Sequence, residues 1–173
     1  LESYGVKSPM HVLPTGIPMA QFAGGNGLRF RQKFGIGESR PMALFVGRVA
    51  HEKNIGFLLE ALVQARQIRP DVLLVIAGEG PAMADLRAQT TALGLQDAVL
   101  FIGYLDRKQA LPDCYAAANV FVFASLTETQ GLVLLEAIAA GVPVIALSEM
   151  GTIDILAPAR GAFSPPNDPR AFG

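Results

Sequence analysis

The chain has 173 residues, enough to bury one hydrophobic core of its own. Hydrophobic residues make up 51% and charged residues 17% of it, a composition that excludes intrinsic disorder. The net charge of −1 gives no support to nucleic acid or an anionic membrane as an electrostatic partner. The single cysteine, Cys114, excludes an internal disulfide and fits a reducing cytoplasm.

Short apolar runs alternate with helix-forming segments along the chain. Strands are predicted at residues 10–13, 42–46, 72–77, 98–102, 119–124, 144–147 and 161–163. Helices are predicted at residues 28–34, 55–68, 82–93, 106–118, 131–140 and 150–156. This alternation is typical of right-handed βαβ units. It predicts an α/β fold, with one Rossmann-like domain over residues 1–173 and a doubly wound parallel sheet.

Glycine, proline and aspartate mark the ends of these elements. The glycine-rich segment at residues 24–27 is predicted to be a flexible break. Pro81 is predicted at the first position of its helix, and Asp106 as the N-cap of the next helix. Pro112 is expected to disturb that helix, and residues 164–173 to be loop or a frayed end.

Residues 125–143 contain two carboxylates in a stretch otherwise nearly free of charge. Glu128 lies in the loop after a predicted strand, Gly131 opens the next helix, and Glu136 follows about one and a half turns later. Ligands of open parallel sheets bind outside the carboxyl ends of the strands, and a helix N-terminus offers free N–H groups to phosphate. Glu136 can lean toward the same opening, because helical side chains tilt toward the N-terminus. The segment is compatible with a nucleotide site.

The run E-T-Q-G-L-V-L-L-E-A-I-A-A-G-V-P-V-I-A resembles the Glu-x7-Glu signature of the group 1 (retaining, GT-B fold) glycosyltransferases. The resemblance implies that Glu136 accepts hydrogen bonds from the two ribose hydroxyls and that Glu128 faces the transferred sugar and the phosphate. It also implies that the Gly131 and Leu132 amides cradle the distal phosphate. Gln130 stands near the sugar, where an aromatic residue is often found, and this departure bears on the choice of donor or acceptor.

A second motif follows the predicted strand at residues 42–46. An arginine fork matches phosphate and a lysine adds a point charge, so Arg48 and Lys53 can bracket a diphosphate, although a solvated loop could carry the same charges. The segment is similar to the family's GR(L/F)xxxKG motif, whose Arg and Lys hold the donor diphosphate. The chain keeps Gly47, Arg48 and Lys53. It has Asn54 where glycine is usual, which we expect to adjust the loop without abolishing it.

Three further segments agree with the family pattern. The turn G-E-G-P at residues 78–81 indicates by itself only a turn, but the resemblance implies that Gly78 and Gly80 leave room for the base or phosphate. Residues 14–18 are similar to the PNGID-like segment at the start of the donor-binding domain. Asp154 occupies the position of an acidic residue in the family's GGxxE segment, where capping of a short helix is an equal alternative.

The resemblance covers almost the whole chain and implies transfer of a hexosyl group from a UDP- or GDP-type sugar such as UDP-glucose. Arg48, Lys53 and Glu128 are the expected catalytic residues. The two cations and the helix end would stabilise charge on the leaving phosphate, so no cofactor and no metal ion are expected. The two histidines, His11 and His51, have no neighbouring cysteine or carboxylate pair and predict no metal site.

Three alternatives stay open at this stage. A nucleotide-sugar 2-epimerase of the same fold would differ by epimerising its donor without any acceptor. A dinucleotide-dependent oxidoreductase is disfavoured by the missing G-x-G-x-x-G after the first strand. A non-catalytic nucleotide-binding domain would keep the binding residues and lack transfer.

The resemblance is to the carboxyl-terminal, donor-binding domain alone. It implies an excised piece that lacks the amino-terminal acceptor domain and the final helix. We expect such a piece to bind nucleotide weakly and not to turn over. The acceptor, a lipid or a glycan, would bind through the missing domain, and the run E-T-Q-G-L-V-L-L-E-A favours a lipid by its likeness to diacylglycerol glucosyltransferases. The expected location is the cytoplasm, with peripheral membrane association of the intact enzyme at the inner face and a role in cell-envelope biosynthesis.

Overall fold

The computed structural model describes residues 15–173 together with residues 2–5, 7–9, 11 and 13. The predicted strand at residues 10–13 depends on Met10 and Val12, which lie outside the described residues. A 3-10 turn, Glu2–Tyr4, lies near the amino terminus. The architecture below is that of residues 15–173.

Within the described residues, six strands form one sheet. They are β1 (Met42–Val46), β2 (Leu73–Ala77), β3 (Val99–Gly103), β4 (Val120–Phe123), β5 (Val144–Ala146) and β6 (Ala162–Phe163). Their order across the sheet is β3-β2-β1-β4-β5-β6, and every strand pairing is parallel. The direction of winding reverses between β1 and β4, which is the topological switch point of a doubly wound fold. The predicted Rossmann-like α/β fold is therefore confirmed.

Helices precede, connect and follow the strands. They are α1 (Met19–Ala23), α2 (Gly27–Phe34), α3 (Ile55–Ile68), α4 (Met83–Ala92), α5 (Ala110–Ala117), α6 (Leu132–Ala139), α7 (Gly151–Leu156) and α8 (Pro169–Phe172). Their main mutual contacts fall into two groups, one of α1, α2, α5, α6 and α7 and one of α3, α4 and α8. Two such layers are what covers a parallel sheet on both faces.

The hydrophobic core is built on the sheet, since β1 and β2 are buried along their whole length. The rings of Phe45 and Phe123 are stacked with centroids 6.1 Å apart, and Phe121 continues the stack 6.2 Å from Phe123. Continuous apolar strands of this kind need cover on both faces. Packing of these rings fixes the carboxyl ends of β1 and β4 side by side, and with them the two loops that follow.

The segment at residues 24–27, predicted to be a flexible break, is tightly packed. A Cβ on Gly25 would overlap the carbonyl oxygen of Pro112, and one on Gly27 would overlap that of Ala116. Between them, the Asn26 side chain caps α2 by accepting a hydrogen bond from the backbone N–H three residues later at 2.9 Å. The prediction of flexibility is wrong, because these glycines allow a close approach of α2 to α5.

Two helices begin later than predicted, and this changes the role of their prolines. α4 begins at Met83, so Pro81 lies in the preceding turn rather than at the first helical position. α5 begins at Ala110, and the Asp106 carboxylate accepts hydrogen bonds from the N–H groups two and three residues later at 3.1 and 3.0 Å. Pro112 consequently falls in the first turn of α5. Backbone N–H groups in that turn have no acceptor within the helix, so a proline there breaks no hydrogen bond, and the expected disturbance is absent.

The carboxyl-terminal residues 164–173, predicted to be loop or a frayed end, include α8. Its N-cap is Asp168, whose side chain accepts a hydrogen bond from Arg170 N–H at 3.3 Å. Phe172 is buried and meets the ring of Phe57 edge-on, with centroids 5.3 Å apart. Burial of this ring against α3 stabilises a helix that is too short to form by itself.

Candidate functional site

A cleft runs along the carboxyl ends of β1 to β4, at the switch point where open parallel sheets bind ligands. It has two halves of about 310 and 300 Å³, and four residues line both: Val46, Gly47, Arg48 and Val133. The Glu128 half is completed by Lys53, Phe123, Glu128, Thr129, Gln130, Gly131 and Leu132. The Tyr104 half is completed by Ala77, Gly78, Glu79, Tyr104, Leu105, Arg107 and Leu111.

Lys53 and Glu128 form an ion pair in the Glu128 half. Lys53 Nζ lies 2.7 Å from Glu128 Oε2, and each side chain is 20% exposed. Partial burial strengthens the attraction relative to a surface pair, because the effective dielectric constant is lower. The sequence predicts both residues for the site but not their pairing. An anion entering this half meets a lysine that is already engaged.

Arg48 stands where the two halves meet. Its side chain is 66% exposed, and its ion-pair partner, Glu52, lies 3.7 Å away, beyond hydrogen-bond distance. The planar fork of N–H donors is therefore accessible to a ligand in either half. The role of Arg48 as a phosphate ligand stays a prediction.

The first turn of α6 forms one wall of the Glu128 half. Gly131 is its N-cap, with φ 62° and ψ 36°, a left-handed conformation that glycine adopts without strain. Leu132 and Val133, which begin the helix, line the cleft beside it. N–H groups in the first turn of a helix have no intrahelical partner, and their partial positive charge favours an anion. The predicted phosphate cradle thus shares one cavity with Arg48 and Lys53.

Asn54 explains how the loop after β1 tolerates the absence of the usual glycine. Its φ of 52° and ψ of 37° are left-handed, a region in which asparagine is favoured over most other residues. Its side-chain amide donates to the carbonyl oxygen of Ala124 at 3.3 Å, and the Ser125 hydroxyl donates to that of Glu52 at 3.4 Å. With the ion pair described above, these bonds join the β1–α3 loop to the β4–α6 loop.

Gly78 and Gly80 are required by backbone packing. A Cβ on Gly78, whose φ is 145°, would overlap the carbonyl oxygen of Gly47, and one on Gly80 would overlap that of Val49. Gly78 also lines the Tyr104 half, whereas Gly80 packs against the β1–α3 loop. The resemblance implies that both glycines leave room for the ligand. For Gly80, the structure explains the absence of a side chain by its close contact with the Val49 backbone.

Glu136 is 2% exposed and lines neither half of the cleft, but it contacts Arg107, which lines the Tyr104 half. Tyr115 Oη donates to its Oε2 at 2.9 Å, and Arg107 Nη2 donates to its Oε1. Burial, together with the neighbouring Glu136 carboxylate, raises the pKa of Tyr115 well above its usual value, so the phenol keeps the proton that it donates. The predicted ribose ligand therefore lies behind Arg107 and is outside the lining of the cleft, and its role stays a prediction.

Arg107 and Tyr115 are site residues that sequence reasoning missed. Arg107 comes shortly after the end of β3, and a cation at the carboxyl end of a strand was a usable signal. Tyr115 is one of several buried residues of α5 and has no local pattern that sets it apart from a core aromatic residue. Only the tertiary structure brings its hydroxyl to Glu136, 21 positions away in sequence.

Gln130 and Asp154 are both exposed. Gln130 Nε2 donates to Thr15 Oγ1 at 3.0 Å, which joins the loop after β4 to the segment that enters the domain. Asp154 lies inside α7, and the N-cap position of that helix is Met150, without a side-chain hydrogen bond. The capping alternative for Asp154 is therefore wrong.

The remaining chemically distinctive residues give no second site. Burial raises the pKa of the Cys114 thiol, which fits a structural role. His51 Nε2 lies 3.4 Å from Asp85 Oδ2 at the surface. Among the residues that the structure describes, no group of three or more His, Cys, Asp or Glu is placed to hold a metal ion. In the same part of the chain, no helix combines the length and the apolar character needed to cross a membrane.

Known proteins share this sequence pattern and fold. A sequence profile of the family described as Glycosyl transferases group 1 matches residues 28–173. The chain is 39% identical over 151 residues to alpha-monoglucosyldiacylglycerol synthase of Streptococcus pneumoniae, covering 84% of this chain and 34% of that protein. It therefore spans about a third of the length of that curated relative.

Two solved structures extend the comparison. Sucrose-phosphate synthase from Thermosynechococcus elongatus superposes with a TM-score of 0.79 at 30% identity, covering 91% of this chain and 40% of that one. The pneumococcal O-GlcNAc transferase GtfA, in complex with UDP and GlcNAc, superposes with a TM-score of 0.59 at 28% identity, covering 65% of this chain and 21% of that one.

Proposed function

Because the chain belongs to the group 1 glycosyltransferases, as a carboxyl-terminal-type domain of the GT-B fold, we propose that its cleft binds a nucleoside diphosphate sugar. The protein to which it belongs would transfer the sugar with retention at the anomeric carbon. One observation carries the proposal: Arg48, Lys53 and the first turn of α6 line a single cavity at the switch point. Cations and free helical N–H groups are the donors that a diphosphate needs.

The chemistry of the two halves supports one orientation of the ligand. The Glu128 half contains the lysine, the helix end and a carboxylate, which suit the distal phosphate and the sugar. The Tyr104 half has walls from Tyr104, Leu105 and Leu111, which suit a base. Arg107 on the same wall contacts Glu136, the proposed acceptor for ribose hydroxyls. Arg48 lines both halves and would contact the diphosphate where it crosses between them.

Departure of the nucleoside diphosphate builds negative charge on a phosphate oxygen. Arg48, Lys53 and the amides at the start of α6 would stabilise that charge, and one such preorganised donor is typically worth about 3 kcal/mol in the transition state. Glu128 would face the transferred sugar and keep Lys53 in place through the 2.7 Å ion pair. In this proposal the two cations and the helix end take the place of a metal ion.

We further propose a UDP-type donor and a lipid acceptor. UDP is the nucleotide in the complex of the related GtfA, and the name of the pneumococcal synthase denotes a glucosylated diacylglycerol. The chain itself exposes apolar side chains beside the Glu128 loop: Leu126 is 38% and Met150 56% exposed. Gly151 N–H donates to the Glu128 carbonyl oxygen at 2.9 Å, so the start of α7 lies against that loop. An apolar acceptor would find complementary surface there.

Calorimetric titration with UDP, GDP and ADP tests the donor site directly. We expect one of the three to bind and Arg48→Ala to weaken it roughly tenfold or more, since a hydrogen bond to a charged group contributes about 1.5–3 kcal/mol. Arg69→Ala is the matched control. Arg69 is 62% exposed and paired with Asp71, but precedes β2 at the opposite end of the sheet. Absence of binding by the folded chain, or equal losses in both variants, would contradict the proposal.

We expect transfer only from a longer protein that contains this chain, since the chain spans about a third of the pneumococcal relative. We expect UDP-glucose and diacylglycerol vesicles to give a glucosylated lipid with the longer protein and no product with the isolated chain. Sugar transfer by the isolated chain would show that a second domain is unnecessary. Epimerised nucleotide sugar formed without acceptor would instead identify a 2-epimerase.

A further inference from the structure

Arg107 covers the carboxylate that a ribose would need. The Arg107 side chain is 57% exposed and lines the Tyr104 half, while Glu136 beneath it is 2% exposed. Tyr115, which is fully buried, holds the other oxygen of Glu136. Of the two donors to this carboxylate, the guanidinium is therefore the one that faces the cleft.

The two donors differ in how firmly they are held. The Tyr115 ring is buried and packs edge-on against Phe22, with centroids 5.8 Å apart. Arg107 lies on the turn before α5, where its carbonyl oxygen accepts a hydrogen bond from the Gln21 side chain and its guanidinium remains largely solvated. On the arginine side the cost of leaving the pair is small, because water replaces most of the lost contacts, and the guanidinium keeps a further neighbour in the Phe22 ring, 5.8 Å from its centroid. The network thus has one fixed donor and one exchangeable donor.

A buried carboxylate that loses its partner is strongly destabilised, so Arg107 can leave only when another donor takes its place. The vicinal hydroxyls of a ribose present two O–H donors to a carboxylate, as a guanidinium presents two N–H donors. We propose that Arg107 is a latch over Glu136, displaced by the 2′,3′-diol of an incoming nucleotide. This inference rests on the proposed nucleotide site. It makes Arg107 a positioning residue that keeps Glu136 paired and in place while the cleft is empty.

Nucleotide affinity with and without the latch tests the inference. The variant is Arg107→Met, which keeps an apolar stem and removes the donor, and the matched control is Lys108→Met. Lys108 is exposed and has the same charge on the same turn. The probes are UDP and 2′-deoxy-UDP, or the guanosine pair if GDP is the nucleotide that binds. Calorimetry gives the dissociation constants. Thermal unfolding tests whether each variant is folded, because Arg107→Met leaves the buried Glu136 carboxylate with Tyr115 as its remaining donor.

We expect Arg107→Met to bind the ribonucleotide several-fold more tightly than the wild type, because the diol no longer competes with the guanidinium. The affinity for the 2′-deoxynucleotide should increase less, because that nucleotide offers one hydroxyl less to Glu136. Lys108→Met should bind both nucleotides with the affinity of the wild type. Weaker ribonucleotide binding by Arg107→Met would show that Arg107 contacts the nucleotide directly and would overturn the latch. Equal gains for both nucleotides would overturn it too, since the effect would then be general electrostatics.

Failure of the latch is distinguishable from failure of the nucleotide site. If Arg107→Met binds nucleotide without the expected gain, the site stands and the latch is rejected. If neither the wild type nor Arg107→Met binds UDP or GDP while folded, the proposed function is rejected and the latch with it.

Discussion

Glu128 and Glu136 lie eight positions apart on one loop–helix segment, yet the structure gives them opposite environments. Glu128 is partly exposed and, within the described part of the chain, its carboxylate pairs with Lys53 alone, from another loop. Glu136 is almost completely buried and has two donors, one of them inside the core. A partly solvated ion pair can open and follow changes of charge in a ligand, whereas a buried, doubly bonded carboxylate is part of the fold.

The largest expected effect concerns the glycines of the two halves. Gly78→Ala forces a Cβ into the carbonyl oxygen of Gly47, a backbone atom that cannot move aside, so we expect a loss of about 3 kcal/mol or more in the free energy of unfolding. Gly131→Ala meets only the ends of the Leu134 and Ile155 side chains, at 3.2 and 3.3 Å, at a left-handed φ. Gly131→Ala should lower the free energy of unfolding by about 1–2 kcal/mol. Urea unfolding of both variants measures the difference, and equal losses would contradict it.

The second effect compares the two carboxylates themselves. Glu136→Ala leaves the buried Tyr115 hydroxyl with only the long contact to the Val133 carbonyl oxygen at 3.4 Å and opens a cavity, so we expect a loss of about 2–3 kcal/mol in unfolding free energy. Glu128→Ala should lower the unfolding free energy by less than about 1 kcal/mol, because the Lys53–Glu128 pair is partly solvated. The same unfolding experiment applies, with Glu60→Ala as an exposed control on α3. A Glu128→Ala loss as large as that of Glu136→Ala would remove the distinction between a mobile and a built-in carboxylate.

A smaller effect on stability is expected when the residues that donate to the two carboxylates are replaced. Tyr115→Phe keeps the ring packing and removes one hydrogen bond to Glu136, which should lower the unfolding free energy by about 1–2 kcal/mol. Lys53→Met should lower it by less than about 1 kcal/mol but weaken nucleotide binding. Unfolding and calorimetry on the same samples give both quantities. Strong destabilisation by Lys53→Met would mean that the Glu128 pair is structural after all.

The smallest expected effect concerns Asp113, a buried carboxylate outside the cleft, and its contribution to the pH dependence of stability. Burial pushes the pKa of Asp113 upward, but hydrogen bonds from Arg29 at 2.6 and 2.7 Å and from Asn26 N–H at 2.7 Å outweigh it and lower the pKa below its usual value. A lowered pKa in the folded state adds stability above the pKa of the unfolded chain, and that stability is lost as pH falls through the folded value.

The wild type should therefore exceed Asp113→Asn in unfolding free energy at pH 6, by less than about 1 kcal/mol because Arg29 is about half exposed. The difference should shrink as the pH is lowered toward 2. Asp97→Asn, at an exposed carboxylate, is the control. A difference that grows in acid would contradict the lowered pKa.

Local patterns were sufficient to predict most of the fold. The strand Met42–Val46 and the helix Ile55–Ile68 have the predicted bounds, because a continuous apolar run and core spacing closed by proline are local signals. Parallel strands bring their carboxyl ends to one edge, so predicting the sheet also gathered Arg48, Lys53 and Gly131 at one cleft. Segments without a strong local pattern were mispredicted: the glycine-rich run at residues 24–27 and the end at residues 164–173.

The sequence by itself thus determined the α/β fold, the family and the loops that carry the cleft, because periodicity and motif spacing are properties of neighbouring residues. Only the tertiary structure decided which side chains meet: Lys53 with Glu128 across 75 positions, Tyr115 with Glu136 across 21 and Arg107 with Glu136 across 29. It also decided that Gly80 serves backbone packing. The physical reason is that partners of a partly or fully buried charge are chosen by which surfaces pack together, and that choice leaves no trace in local spacing.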